Sequence, residues 1–150
     1  MTTHKEELLG LLRKAQEERV EQPDLGKLRD DWQAAVDALL SSIERWLADA
    51  TGEGLLAVER AEVEIDEEML GNYVVPGLVI RAPNGRSVTV TPKARIIIGG
   101  QGRVDLTSGA KRATLVLDDG RWSLIARRPR VERTVLTEEV FDQMLAELLR

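Results

Sequence analysis

The stretch ARIIIGGQGRVDL, from Ala94 to Leu106, is the first place in this chain to look for chemistry. Three isoleucines run into Gly99 and Gly100, and Gly102 stands two positions on. Glycines after an apolar run can cradle a phosphate, because a backbone without Cβ lets its N–H groups approach an anion closely. A dinucleotide fingerprint, G-x-G-x-x-G, needs its third glycine where this chain has Asp105, and a carboxylate there would face the pyrophosphate. The residues that follow, RVDLTSG, alternate and then turn, so they predict a strand and not the helix whose N-terminus would receive the phosphate. A P-loop fails as well: the sixth position from Gly99 is Val104, and no lysine follows it. The glycines are therefore expected to supply positive φ at a tight or bulged turn between strands.

Other chemistry is excluded on residue types or left without a focus. The chain has no cysteine, which removes disulfides, thiolate catalysis and cysteine zinc sites. His4 is the single histidine and sits near the N-terminus, so neither a histidine metal site nor a Ser-His-Asp triad is expected. The acidic run Glu59, Glu62, Glu64, Asp66, Glu67 and Glu68 has the oxygen ligands of a Mg²⁺ or Ca²⁺ site. Its alternation with Ala61, Val63 and Ile65 reads instead as the solvated face of a strand. Asp105 after a strand suggests a restriction-type nuclease core, but VLDDGRW supplies no E-x-K. No pair among the acids is singled out for carboxylate hydrolysis. No catalytic residue, metal ligand or cofactor is assigned.

The arginines remain. Arg81, Arg86, Arg95, Arg103, Arg121, Arg127, Arg128 and Arg130 all fall on predicted strands or their turns. A guanidinium presents a planar five-donor fork suited to carboxylate and phosphate. Charge is uneven along the chain: residues 1–75 hold 8 basic and 18 acidic groups, and residues 76–150 hold 13 basic and 8 acidic. A basic sheet could meet nucleic acid, yet between Pro76 and Thr134 only Trp122 offers a ring to stack on a base. Pairing with the chain's own acids or with a protein partner is favoured. The expected partner-binding residues are Arg95, Arg103, Arg121, Arg127, Arg128 and Arg130, with the Arg127-Arg128-Pro129-Arg130 segment exposed because three unpaired guanidiniums are costly to bury.

The elements that must position these residues follow from periodicity. Thr3 and Glu6 have capping-box spacing, and Leu8, Leu11, Leu12 and Ala15 follow at helical intervals. Pro23 interrupts, and Asp24 caps a second helix over about residues 25–50. Its apolar positions, Leu25, Leu28, Trp32, Val36, Leu39, Ile43, Leu47 and Ala50, keep to one face. The first helix is too short to cover that stripe, so Trp32, Val36, Leu39, Ile43 and Trp46 are the expected self-association residues of a two-fold homodimer, unless a sheet covers them. After Thr51-Gly52-Glu53-Gly54 the period becomes two. Strands are predicted at 61–65, 73–81, 87–91, 95–98, 103–107, 112–117 and 121–127, with Asn84-Gly85 and Asp119-Gly120 as type I′ hairpin signals. Connections this short require antiparallel pairing. Thr137 caps a last helix whose apolar face is Phe141, Met144, Leu145 and Leu148.

The expectation is one α+β domain over residues 1–150: a helical hairpin (1–52), an antiparallel β-meander of six or seven strands (55–135) and a closing helix (137–149). With 43% hydrophobic residues a packed core is within reach. The longest uncharged run, Met69–Ile80, is 12 residues and contains Pro76, too short to span a bilayer. The expected function is that of a non-enzymatic protein-binding module of a bacterial cytoplasm: an accessory, adaptor or immunity-like protein. A nucleic-acid-binding protein using the arginine-rich sheet is the alternative, and an enzyme with an unrecognised carboxylate site the third reading.

Overall fold

A computed structural model of the chain describes residues 3–21, 25–68, 70–94, 102–126 and 132–150. It is an α+β fold: helices α1 (His4–Glu21), α2 (Leu25–Trp46) and α3 (Ala48–Gly52), then seven strands, then helix α4 (Glu138–Leu149). The strands are β1 (Ala57–Glu67), β2 (Gly71–Arg81), β3 (Ser87–Ala94), β4 (Gly102–Ser108), β5 (Lys111–Asp118), β6 (Arg121–Ala126) and β7 (Glu132–Val135). They lie in sequence order in one sheet, each antiparallel to the next. The predicted strand at 95–98 lies outside the described residues. The predicted single helix over 25–50 is interrupted at Leu47, where α2 gives way to the short α3.

Turn chemistry explains how tightly the meander is wound. Asp119 and Gly120 both have positive φ, 52° and 74°, as a two-residue type I′ turn between paired Asp118 and Arg121 requires. The Asn84-Gly85 connection differs from expectation. Only Gly85 is left-handed, Gly85 N–H donates to the Ala82 carbonyl, and Asn84 Oδ1 accepts from the Arg86 N–H. Pro83 lengthens this loop beyond two residues, and the left-handed glycine follows the turn in place of leading it.

The register sets the core. Leu78, Val90, Leu106 and Ala113 stand in one cross-strand row, and Pro92, Val104, Leu115 and Leu124 in the next. These rows meet α2 and α4, which lie together on this face, with the rings of Trp46 and Phe141 5.5 Å apart. Trp32, Val36, Leu39, Leu40 and Ile43 of α2 are buried in the same cluster as Phe141, Met144, Leu145 and Leu148 of α4. The stripe expected to drive self-association is therefore core: Trp32, Val36, Leu39 and Ile43 are buried within one chain, and Trp46 packs against the same cluster. The reason is dimensional. Seven strands at about 4.8 Å spacing give a sheet about 29 Å wide, and the 15 residues from Trp32 to Trp46 run about 22 Å, so one sheet has the breadth to cover that part of the stripe, while Leu25 at its start stays 39% exposed.

The two N-terminal helices are present as the sequence predicts; α2 turns Trp32, Val36, Leu39, Leu40 and Ile43 to the sheet, and the described side chains of α1, residues 4–17, are exposed. The helix ends are otherwise as the sequence predicts. Glu6 N–H donates to Thr3 Oγ1 and Thr3 N–H to Glu6 Oε2, the reciprocal capping box. Thr137 Oγ1 accepts from Val140 N–H at 3.2 Å. Thr137→Ala should lower stability by about 1 kcal/mol, seen as a lower urea midpoint with an unchanged slope. At the far end of α4, Lys111 Nζ donates to the carbonyls of Glu147 and Arg150, and Asn84 Nδ2 to that of Leu149. The last turn is thereby tied to the sheet by donors where the helix dipole is negative.

Candidate functional surfaces

The sheet face turned away from the helices carries alternate residues of each strand. One row across it reads Thr91, Asp105, Thr114, Ile125, Arg133, and another reads Arg103, Val116, Ser123, Val135. At its centre Asp105 is 2% exposed. Arg103 Nε donates to Asp105 Oδ1 at 2.9 Å and Nη2 to Oδ2 at 3.0 Å, while Thr114 Oγ1 donates to Oδ1 at 3.2 Å. The hydrogen bonds that Arg103 donates to the Asp105 carboxylate raise its pKa above the ordinary value, against the opposing effect of burial. The aspartate that breaks the glycine fingerprint is thus the anchor of a bidentate ion pair inside the sheet.

Several of the described basic groups are answered within the chain. Arg81 pairs with Glu59 at 3.0 Å and Arg133 with Asp118 at 3.1 Å. On the helix side Arg60 donates through Nη1 to Asp37 Oδ1 at 2.7 Å, through Nε to Glu44 Oε1 at 2.9 Å and through Nη2 to Ser41 Oγ at 3.2 Å. Its pKa is raised first by Glu44 and then by Asp37. Arg60 was hidden from sequence reasoning because it interrupts an acidic strand, and only the fold brings α2 over it. Of the expected partner-binding residues, Arg103 is committed to Asp105 and Arg121 is exposed beside the β5–β6 turn. Arg95, Arg127, Arg128 and Arg130 lie outside the described residues, as does the expected exposure of the segment from Arg127 to Arg130. None of the five aromatic side chains is exposed, and Trp122 faces the helices, its ring 5.9 Å from that of Trp32.

The helix side holds a cleft of about 400 Å³ between α2 and the β5–β6 hairpin, walled by Trp32, Ala35, Leu39, Leu117 and Trp122, with Asp31 at its edge. Trp32 lies across Gly102, where an added Cβ would come 2.4 Å from Cζ3. Gly102 is not among the residues of positive φ, so this glycine of the opening motif serves close approach and not a turn. Gly99 and Gly100 lie outside the described residues. The Trp32 indole N–H is buried without a hydrogen-bond partner among the described residues. Among the described residues, no three histidine or acidic side chains are gathered as a metal-ligand set. No helix among them is long and apolar enough to cross a membrane.

The remaining surface is α1. Leu8 is 52%, Leu9 40%, Leu11 65% and Leu12 54% exposed. These are four of the eight large hydrophobic side chains left exposed among the described residues, and they stand within five positions of one helix. Most helical stability in proteins comes from packing an amphipathic face, and Gly10 in the interior of α1 weakens it by about 1 kcal/mol relative to alanine. No protein-family model, curated protein or solved structure matches the chain.

Proposed function

We propose that this chain is a protein-binding module that docks through the leucine face of α1. The observation that carries the reading is the run of exposed leucines on a helix whose neighbour α2 has already spent its apolar face on the sheet. Clustered exposed apolar side chains, unlike scattered ones, mark surfaces that partners cover, and a helix laid into an apolar groove is a common way of doing so. The sheet face supports a lesser role. Arg112 and Arg121 are exposed and complement an acidic protein surface, whereas the absence of an exposed ring leaves bases nothing to stack on.

The test separates docking from folding. Leu8, Leu11 and Leu12 are changed together to serine. The melting temperature should move by no more than about 2 °C, the response of exposed positions in a chain of this size, while cross-linking to proteins in native lysate is lost. A large fall in melting temperature would show that the leucines stabilise the fold itself, and the docking reading would be wrong.

A further inference from the structure

We propose that the occupant of the α1 face is α1 of a second copy of this chain, paired antiparallel about a two-fold axis. The inference rests on reading α1 as a docking surface and names its partner.

The argument is one of self-complementarity. Around Gly10 the sequence reads EELLGLLRK, Glu6 to Lys14: leucine pairs on both sides, acids outside them on one side, bases on the other. At about 100° per residue, Leu8, Leu11, Leu12 and Ala15 fall within about 100° of arc. Glu7 and Lys14, two turns apart, lie on the same flank of that stripe, beside Leu11. When two helices pair antiparallel, each flank meets the same flank of the other. An axis crossing α1 midway between residues 7 and 14 sets Glu7 against Lys14 of the partner subunit. By symmetry it sets Lys14 against the partner's Glu7. The four leucines are centred on the same level, so the turn of helix that most needs covering is the one the axis crosses. A parallel pair loses this match, because Glu7 would then meet the flank that carries Leu9 and Gln16.

The two charges are free to do this. Glu7 has only exposed His4 near it, at 3.9 Å, and Lys14 has no partner among the described residues. A two-fold interface is met by the same patch on both copies, so each favourable contact counts twice. The pairing leaves the sheet face and its exposed arginines outside the interface.

The experiment measures the mass of the full chain by light scattering across micromolar concentrations, for the wild type, Glu7→Lys, Lys14→Glu, the double exchange and Leu11→Asp. A wild-type dimer is expected. Each single reversal turns two attractions into two repulsions and should weaken dimerisation roughly tenfold. The double exchange, which restores opposite charges across the axis, should recover it, and Leu11→Asp should abolish it while melting where the wild type does when diluted to monomer. A monomeric wild type would overturn self-pairing, and if Leu11→Asp then left the melting temperature unchanged the docking reading would survive, with a different protein on the face. A dimer indifferent to all these changes would place the contact elsewhere and overturn the proposal. A melting temperature for Leu11→Asp well below that of the wild type diluted until it is monomeric would show α1 folded against its own chain and end both readings.

Discussion

Arg103→Leu should lower stability by about 3–5 kcal/mol, and Asp105→Asn by less than half as much, although the two residues form one ion pair. The asymmetry follows from exposure. Asp105 is 2% exposed and Arg103 30% by side chain. Removing the guanidinium leaves a carboxylate in the sheet with, among the described residues, only the Thr114 hydroxyl to solvate it. Removing the carboxylate charge leaves a guanidinium that already reaches water, with an amide oxygen still in place to accept from it. The larger loss is a sizeable part of the ~5–15 kcal/mol that separates a folded domain from its unfolded chain. Changing both residues to leucine should recover much of it, because neither charge is then stranded. The raised Arg103 pKa means that the guanidinium's share of the pair is fully present below its unfolded pKa. It fades only as pH rises through the arginine range, so none of it is lost near neutrality from this side. Urea unfolding of the four proteins is the measurement. Equal losses for the two single changes would mean that Asp105 is solvated after all.

Local features of this fold were legible in the sequence because they are decided within a few residues. The Thr3–Glu6 capping box, the Thr137 cap, the Asp119-Gly120 turn and the face of α4 all appear as their spacing predicts. What failed depends on which surface covers which. Periodicity fixes the apolar face of α2 and not its occupant, so a homodimer and the chain's own sheet compete for it in the sequence, and it is the sheet that covers Trp32 to Ile43. The strand β7 went unpredicted because Glu132, Arg133, Thr134 and Val135 are all exposed and carry no alternation; only pairing with β6 makes them a strand. The sheet arginines were recognised as ligands for carboxylates, but the decisive partners of Arg103 and Arg60 differ in kind. Asp105 sits two residues away on the same strand, whereas Asp37 and Glu44 reach Arg60 only across the tertiary fold. Glycine spacing predicts a turn at Gly102, whereas there the missing Cβ makes room for the Trp32 ring.

That ring makes Gly102→Ala the other substitution of large expected effect. A Cβ on residue 102 would stand 2.4 Å from Trp32 Cζ3 and 2.9 Å from Cε3 and Cη2, inside any real carbon–carbon contact. Trp32 is 1% exposed, and its ring stands 5.9 Å from that of Trp122 across the cleft both line, so making room moves a buried indole off its packing in the core. That displacement, or the backbone shift of β4 or α2 that replaces it, costs about 1–3 kcal/mol for an inserted methyl group. Trp32→Leu by itself should lose about 3 kcal/mol, as large aromatic truncations in a core do. Combined, the two should lose less than their sum, because shortening residue 32 removes the atoms that the new methyl group meets. A coupling of 1 kcal/mol or more, within the ~0.5–3 kcal/mol seen between residues in contact, is expected from the four-protein urea cycle. Simple additivity would show that α2 does not rest on β4 at this point, and with it would go the account of why a glycine stands there.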